Sequence, residues 1–410
     1  MHGEGWPEVR IGDLGEVFTG RTPPTEHPAY FGDDYPFITP GDMHQGKYAR
    51  ATQRSVSHEG AELLERIKIP ANSVCVSCIG WQMGEAIMTD KPSFTNQQIN
   101  TVVPNGKVEP SFLYYSLRPR KQELLSLGAA SGVRTPILNK SAFCDLKVKI
   151  PPLPVQRRIA GMLSAYDELM ENSQRRIRIL EEMARALYRE WFVHFRFPGH
   201  EKLPRVASPL GVIPQGWEVK TVAESFEISG GGTPSREEAS YWEGGTIQWF
   251  APSDLTAVDT MFMDDSPEHI TELGLTESSA RLFPAFSAMI TSRATIGAIS
   301  INTHEACTNQ GFITCLPNER VPLFFLFHWL TENVPTFQRM ASGATFKEIS
   351  RGVFKTIEFL HPSAALVHRF ESQVAPMAKQ ILVLQRQIQS LRRTRDLLLP
   401  RLLSGYLGNR

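Results

Sequence analysis

Two long segments of the chain carry apolar or small residues at alternating steps of four and three, a pattern that few folds can accommodate. Such heptad spacing predicts a long helix with a narrow apolar seam. A seam this narrow is too small for a globular core and needs a partner helix of the same kind. In the first segment, from Pro154 to about Trp191, the seam residues are Ile159, Leu163, Tyr166, Met170, Ser173, Ile177, Leu180, Ala184, Leu187 and Trp191.

The second segment repeats the first with a constant offset of 211 positions and no insertion or deletion. Each helix of about 38 residues would be a rod of roughly 55 Å, and we expect the two to pair as an antiparallel coiled coil that acts as a spacer. The alternative is that both segments are ordinary core helices, but two unrelated core helices would not be expected to share the phase and spacing of their apolar residues. Pro376 should kink the second helix or mark its true start, and Pro400 should end or bend its last turn. The second seam consists of Phe370, Val374, Met377, Ile381, Leu384, Ile388, Leu391, Arg395, Leu398 and Leu402.

The regions before the two helices are also repeated. Both copies read as short strands bounded by Gly, Pro, Asn and Asp, with one helix each, at 110–125 and 322–340. Between the shared anchors the loops differ freely, as two modules of one fold would if they read different targets. The matching anchors are 19–23 with 230–234, 37–42 with 249–254, 96–97 with 309–310, 104–105 with 317–318, and 131–132 with 342–343.

These patterns predict an α+β protein with two pseudo-repeated, strand-rich domains separated by two long helices. We place the first domain at 1–153, the first helix at 154–196 and a proline-rich connector at 197–214. The second domain follows at 215–362, and the second helix with the C-terminal tail at 363–410.

Composition limits the possible partners and compartments. The 43 basic and 43 acidic residues cancel, which argues against a polyanion bound over the whole surface, although 366–410 holds eight basic residues against two acidic ones. The five scattered cysteines argue against a disulfide framework and favour a reducing compartment. No signal region follows Met1, and no apolar run approaches the ~20 residues that span a bilayer. We therefore expect a soluble, cytoplasmic protein.

Several motifs, taken together and in order, make the chain resemble the DNA-specificity subunit of type I restriction-modification systems. They are Gly-Gly-Thr-Pro at 231–234, Ser-Gly at 342–343, Gln-Arg-Arg-Ile at 156–159 after a proline-rich stretch, and Leu-Leu-Pro-Arg-Leu-Leu-Ser-Gly at 398–405. The resemblance covers the whole chain. The first module departs from it, with Arg21 where the second has Gly232, so we expect that loop to have a different shape.

The resemblance implies two target-recognition domains, held apart by the coiled coil, that each read one half of a split sequence in double-stranded DNA. It also implies docking with two modification subunits that carry the adenine methyltransferase and bind S-adenosylmethionine. Restriction subunits that use ATP and Mg²⁺ would complete the assembly. No cofactor is then expected on this chain.

Phosphate contacts fix position on DNA, whereas contacts to base edges fix sequence. Near the glycine turns we expect Arg21, Thr22, Gly232, Thr233 and Arg236 to bind phosphates through side chains or backbone amides. For base edges we select long polar side chains in the loops that differ between the copies, because Arg suits guanine and Gln suits adenine. Solvated loop residues are the alternative for each. The base-edge candidates are Gln82, Arg134 and Lys140 in the first module and Arg293, Thr295 and Lys347 in the second.

Other polar residues have plainer interpretations. Asn96 and Gln97, with their repeats Asn309 and Gln310, are predicted to stabilise turns rather than read bases. Arginine clusters on the two helices suggest a solvated face or salt-sensitive phosphate contacts, while Arg395 and Ser173, which lie on the seams, are candidates for fixing helix register. The clusters consist of Arg175, Arg176 and Arg178, and of Arg392, Arg393 and Arg395.

Catalytic and metal motifs are weak in this sequence. Cys75 and Cys78 form a lone C-x-x-C that the second copy lacks, so we predict no metal site. Residues 41–47 fit the front of a P-loop, but Tyr48 stands where the magnesium-binding Ser or Thr belongs. No methyltransferase motif is found, so a non-catalytic DNA-reading subunit is the first hypothesis. A structural adaptor that binds proteins and a self-contained Mg²⁺-dependent nuclease are the alternatives.

Overall fold

The computed structural model describes residues 5–44, 46–129, 134–258, 260–343 and 347–404. The chain divides into two compact units. The first unit comprises Met1–Ser173 and Gln387–Arg410, and the second comprises Gln174–Arg386. Each unit therefore contains one strand-rich module and a part of both long helices.

The first module contains nine strands and five α-helices among its described residues. Single turns of 3₁₀-helix lie at Pro28–Tyr30, Pro40–Asp42, Glu65–Ile67 and Arg118–Arg120. The helices are α1 (Ile11–Leu14), α2 (His58–Leu63), α3 (Pro110–Leu117), α4 (Lys121–Ala129) and α5 (Lys140–Asp145). The strands are β1 (Glu8–Arg10), β2 (Gly15–Thr19), β3 (Phe31–Ile38), β4 (Arg54–Val56), β5 (Val74–Ser77), β6 (Ala86–Met88), β7 (Phe94–Thr95), β8 (Ile99–Pro104) and β9 (Lys147–Lys149).

The first long helix, α6 (Leu153–Tyr188), ends in a π-helical turn at Arg189–Val193. The connector that follows is folded. It holds a 3₁₀ turn at His200–Lys202 and a hairpin of β10 (Arg205–Ser208) and β11 (Gly211–Pro214). Its Phe197 is buried and stacks on Trp217 with ring centroids 5.4 Å apart.

The second module and the last long helix complete the chain. A 3₁₀ turn lies at Ala239–Tyr241. The helices are α7 (Val222–Ser225), α8 (Pro252–Ala257), α9 (Glu272–Thr276), α10 (Leu323–Met340), α11 (Arg351–Lys355) and α12 (Ala364–Leu403). The strands are β12 (Glu218–Thr221), β13 (Glu227–Gly230), β14 (Ile247–Phe250), β15 (Phe262–Met263), β16 (Glu268–Ile270), β17 (Ala288–Thr291), β18 (Ile299–Asn302), β19 (Ala306–Thr308), β20 (Phe312–Leu316) and β21 (Glu358–His361).

The sheets of the two modules repeat strand for strand. The order β2-β8-β5-β6 in the first module returns as β13-β20-β17-β18 in the second. The order β4-β3-β7 returns as β16-β14-β19, with a parallel pair in each, and β1-β9 returns as β12-β21. The second module adds β15 beside β18, where the first has only an isolated bridge between Tyr48 and Met88. The predicted α+β fold with pseudo-repeated modules is confirmed.

The repeated polar anchors hold turns. Asp42 accepts a hydrogen bond from the Thr39 amide at 2.9 Å, and Asp254 does the same for the Ala251 amide at 2.7 Å. The Asn318 side chain donates to the Ser225 carbonyl at 2.9 Å, as its counterpart in the first module does to the Asp13 carbonyl. These residues recur because an Asp or Asn side chain satisfies backbone groups that a tight turn leaves unpaired.

Both predicted seams lie on the inner faces of the long helices. Every one of their twenty residues is buried or half-buried. In the first unit, Leu163 of α6 shares a core with Leu399 and Leu402 of α12. In the second unit, Val374 of α12 shares a core with Tyr188 and Trp191 near the end of α6. The start of one helix thus meets the end of the other within each unit, which is the predicted antiparallel pairing.

Of the two alternatives predicted for Pro376, the one in which it marks the start of the second helix is wrong, since α12 begins at Ala364. Pro376 is exposed, so water can satisfy the backbone carbonyl that lacks an amide partner. Pro400 also lies inside α12, and the helix ends three residues after it.

Two buried histidines are expected to make the second unit sensitive to acid. Burial lowers the pKa of His328 to about 3, with Arg185 adding to the effect, and lowers the pKa of His361 to about 4. Both values lie below the ordinary value of 6.5, so as pH falls the unfolded chain binds protons first. The contribution of these two histidines to stability should be fully present above pH 6.5 and lost as pH falls toward 4.

We expect the second unit to lose about 2 kcal/mol of unfolding free energy per histidine between pH 7 and pH 5. Urea unfolding at a series of pH values, followed by tryptophan fluorescence, measures this loss. The double variant His328→Phe and His361→Asn should show a flatter profile. An equally steep profile in that variant would assign the acid sensitivity to other groups.

In the described part of the chain we find no helix that could span a membrane. The described part of the chain also holds no group of three His, Cys, Asp or Glu side chains placed to bind a metal ion. Cys75 and Cys78 are both buried, and burial raises the pKa of each thiol to about 12.

Candidate nucleic-acid interface

The glycine turn of each module lies directly against a neighbouring strand. A Cβ atom at Gly20 or at Gly231 would lie 2.2 Å from the carbonyl oxygen of Thr95 or Thr308, respectively. Only glycine allows the backbone to come this close. The Arg21 amide donates to the Thr95 carbonyl at 2.9 Å.

The Gly232 amide makes the matching bond to the Thr308 carbonyl at 2.8 Å. The two loops therefore make the same backbone hydrogen bond at this position, and the expected difference in loop shape is not found there. What differs is the packing, because a Cβ at Gly232 would lie 2.4 Å from the Ser279 carbonyl oxygen. This neighbour explains why glycine stands in the second module at the position of Arg21.

The threonine of each glycine turn is bonded to the Asn-Gln pair. Thr22 Oγ1 donates to Gln97 Oε1 at 2.8 Å, and Thr233 Oγ1 donates to Gln310 Oε1 at the same distance. Asn309 accepts the Gly311 amide at 2.8 Å, as its counterpart in the first module accepts the Gln98 amide. The predicted turn role of the asparagines is confirmed, whereas the two glutamine side chains are exposed.

In both modules the variable loop is fastened to the Asn-Gln turn on one side and to a late segment on the other. In the first module, the Cys78 amide donates to the Gln98 carbonyl at 2.7 Å, and the Leu138 amide donates to the Cys78 carbonyl at 2.9 Å. In the second module, the Ser292 amide donates to the Gly311 carbonyl at 2.8 Å, and the Ile349 amide donates to the Ser292 carbonyl at 2.9 Å. Four segments are therefore held together at one end of each module.

We call these assemblies the loop edges. The first loop edge consists of 20–23, 78–84, 96–98 and 134–140. The second consists of 231–234, 292–297, 309–311 and 347–349. The repeated Ser131-Gly132 pair lies outside the described residues, while Ser342 and Glu348 bridge each other through two backbone hydrogen bonds of 3.0 and 2.8 Å.

Most of the predicted DNA-binding residues lie on a loop edge with their side chains exposed. In the second module, Arg293, Thr295 and Gln310 line one shallow depression. Lys347 joins them, because the Ala294 amide donates to its carbonyl at 3.0 Å. Arg293 is loosely held, with its Nε 3.9 Å from the Glu348 carboxylate.

In the first module, the loop that carries Gln82 is tied to the late segment by a 2.9 Å bond from the Gly80 amide to the Pro136 carbonyl. Arg134 and Lys140 lie on that late segment and are exposed. Lys140 is the first residue of α5, whose N-cap is the Asn139 side chain. The candidates of the first module are thus grouped in the same way as those of the second.

Arg236 lies near the glycine turn but is engaged within the protein. Its guanidinium pairs with both carboxylate oxygens of Glu268, one at 2.8 Å, and covers the Trp242 ring at 3.8 Å from the centroid. The pairing lowers the pKa of the Glu268 carboxyl. Glu268 already balances the charge of Arg236, so Arg236 is a weaker phosphate candidate than Arg293.

Sequence reasoning missed Trp81, whose side chain is 68% exposed at the tip of the first variable loop. An exposed ring of this size can stack on a base or wedge between base steps. The available signal was a tryptophan next to two nearby glycines, at positions 80 and 84, in a loop that differs between the copies.

Lys47, the lysine of the P-loop-like stretch, is engaged elsewhere. Its ammonium group is buried and donates to Ser111 Oγ at 2.9 Å and to Ser164 Oγ at 2.7 Å. Burial lowers the pKa of Lys47. Within the first unit, this lysine therefore ties its own loop to α3 and to α6.

The family model described as "Type I restriction modification DNA specificity domain" matches the chain twice, at residues 3–182 and 214–365. The specificity subunit of the type I restriction enzyme MjaIX from Methanocaldococcus jannaschii is 25% identical over 98% of this chain and 93% of its own length. The HindI specificity subunit from Haemophilus influenzae is 35% identical over 43% of this chain and 39% of its own length.

Among solved structures, the S subunit of a type I restriction-modification system from M. genitalium superposes with a TM-score of 0.64 at 17% identity. The match covers 98% of this chain and 97% of that one, and it shows a common fold. The two family matches include both modules and most of α6. This chain therefore belongs to the family of DNA-specificity subunits of type I restriction-modification systems.

Proposed function

We propose that this protein binds double-stranded DNA with a split target and that each loop edge reads one half-site. The observation that carries the proposal is the duplicated fastening of four loop segments, which present different exposed polar side chains in the two modules. A rigid frame with exchangeable side chains suits sequence readout, because base discrimination depends on accurately placed donors and acceptors.

The seam of the two long helices supports a spacer role. One chain with two related modules and two related helices resembles a dimer on a two-fold axis. Dimeric DNA-binding proteins read half-sites about one helical turn apart, because both readers must face the same side of the duplex. We propose that α6 and α12 set this separation here and so define the unread gap.

An exposed flank of α6 supports the docking of partner subunits. Val155, Met162 and Leu169 follow one another at seven-residue steps beside the seam, and each is at least 38% exposed. Apolar side chains spaced this way suit a partner helix. We propose that two modification subunits bind the long helices and that restriction subunits join the assembly.

In this arrangement the present chain supplies recognition and no catalytic group. S-adenosylmethionine would bind to the modification subunits, and ATP and Mg²⁺ to the restriction subunits. The duplicated loop edges favour this role over a protein-binding adaptor. Binding to a duplex that carries the split target, measured at several salt concentrations, distinguishes the DNA-reading role from the adaptor role. A protein that neutralises phosphates loses affinity as salt rises, with a linear slope of log affinity against log salt concentration. Binding without such a slope, or no binding, would favour the adaptor.

We expect Arg293→Ala to weaken recognition of one half-site only. Loss of one bidentate contact to a guanine corresponds to about 1–3 kcal/mol of discrimination, or roughly fivefold to 150-fold. Arg320→Ala is the matched control, because Arg320 is exposed but follows the far end of β20 and pairs with Glu218. Competition titrations with targets altered in either half measure the effect. An equal loss on random DNA would mean that Arg293 contacts phosphate.

A further inference from the structure

One buried ion pair breaks the near-symmetry of the two helices. Arg395 lies on the seam of α12 and is 4% exposed. Its guanidinium binds the Asp167 carboxylate of α6, and the two side chains are 5% and 10% exposed. Tyr115 of α3 donates to the second oxygen of the same carboxylate at 2.5 Å. The network therefore joins the first module and both helices within the first unit.

The positions that correspond to this pair in the second unit are apolar. With the offset of 211, Asp167 corresponds to Ala378 and Arg395 to Ala184. Both alanines are buried. The offset also holds in the packing, because the core pairing of Leu163 with Leu399 and Leu402 recurs as Val374 with Tyr188 and Trp191.

We propose that Asp167 and Arg395 are the residues that make this chain pair its two long helices with each other and not with the same helix of a second copy. The two helices share one seam, so apolar packing alone distinguishes poorly between α6 on α12 and either helix on itself. Two copies of α6 paired in the antiparallel sense would place Asp167 against Ala184. Two copies of α12 would place Arg395 against Ala378.

A pair of α6 helices leaves each Asp167 carboxylate buried without its cation. Removing one member of a buried ion pair is strongly destabilising, because the remaining charge has lost both water and its counterion. Tyr115 would still donate to Asp167 in such a pair, but a phenol does not neutralise a carboxylate. In a pair of α12 helices Arg395 keeps its neighbour Asp396, which its Nε and Nη2 bind at 2.9 and 2.8 Å, but it loses the buried carboxylate of Asp167. Only α6 with α12 gives Asp167 a cation. A single polar position that specifies helix partners is the best-attested use of such groups.

An exposed charge pair in the same region has a smaller influence on which helices pair. Arg50 Nε lies 2.7 Å from Glu171 of α6, but both side chains contact water. An exposed pair contributes little to the choice of partner, because water screens each charge in any arrangement. Arg50 lies close in sequence to Lys47, and both residues bind α6. The pair of Arg50 with Glu171 is therefore the natural control.

The test compares the oligomeric state of the full chain and its variants by light scattering after size exclusion. We expect the parent protein to remain monomeric. The double variant Asp167→Ala and Arg395→Ala should associate into dimers at least about a hundredfold more strongly, the factor that corresponds to the low end of the cost of one unpaired buried charge. The control Arg50→Ala with Glu171→Ala should remain monomeric.

A further variant keeps the test decisive. Asp167→Asn with Arg395→Gln removes both charges with a smaller loss of side-chain volume than the alanine pair, and it should also dimerise, even if the alanine pair fails to fold. The proposal is overturned if the folded neutral variants remain monomeric or if the parent protein dimerises as strongly as they do.

Discussion

Removal of one heptad from each long helix is expected to shorten the gap in the DNA target and to leave both half-site sequences unchanged. Suitable deletions are 174–180 in α6 and 382–388 in α12, because they preserve the heptad phase and the residues of both cores. Seven residues correspond to about 10 Å of helix, so the gap should shorten by up to about three base pairs.

Affinity should also fall in this variant, because three base pairs turn the half-sites by about 100° around the duplex. Mapping of methylated adenines in cells that contain the shortened chain with its modification subunits gives the gap directly. Deletion of a single residue from an exposed loop of the connector is the control and should leave the gap unchanged. A shortened chain that folds and keeps the original gap would refute the spacer role.

Replacement of Arg395 by alanine is expected to destabilise the first unit by about 3–5 kcal/mol. The reason is that Asp167 would keep its negative charge in a buried site without its cation. The matched control is Arg50→Ala. It breaks an exposed pair with Glu171, which lies on α6 like Asp167, and it should cost only about 0–1 kcal/mol of unfolding free energy.

Denaturant unfolding monitored by hydrogen exchange separates the two units, since amides of α3 report on the first and amides of α10 on the second. The loss for Arg395→Ala should appear in α3. The double variant that also replaces Asp167 should recover part of it, because no charge is then left unpaired. A loss as small as that of Arg50→Ala would show that the buried pair is not important for stability.

The sequence was sufficient for the periodic features of the fold. The seams from Ile159 and from Phe370 identified both long helices, because heptad spacing is a local signal repeated many times. The repeated Thr-Pro and Asn-Gln anchors identified two modules of one fold. The turn role of Asn309 followed from its place before a strand, and its bond to the Gly311 amide confirms it.

Features that depend on distant partners were not accessible in this way. The sequence marked Arg395 as unusual for its seam, but its partner Asp167 lies 228 positions away and has no signature of its own. The glycine turn before Arg236 predicts it as a phosphate ligand, and nothing local reveals that Glu268 and Trp242 hold its side chain. Gly232 likewise depends on Ser279, a contact that only the folded chain reveals.

The central claim is that each module reads one half of a split DNA sequence, and the most direct measurement is genome-wide mapping of methylated adenines. Cells that contain the modification subunits would be compared with and without this chain. The account predicts methylation at one split motif, present only with the chain. Replacement of Arg293 should relax the sequence preference in one half of that motif and leave the other half unchanged. A continuous motif, or methylation that does not depend on the chain, would contradict it.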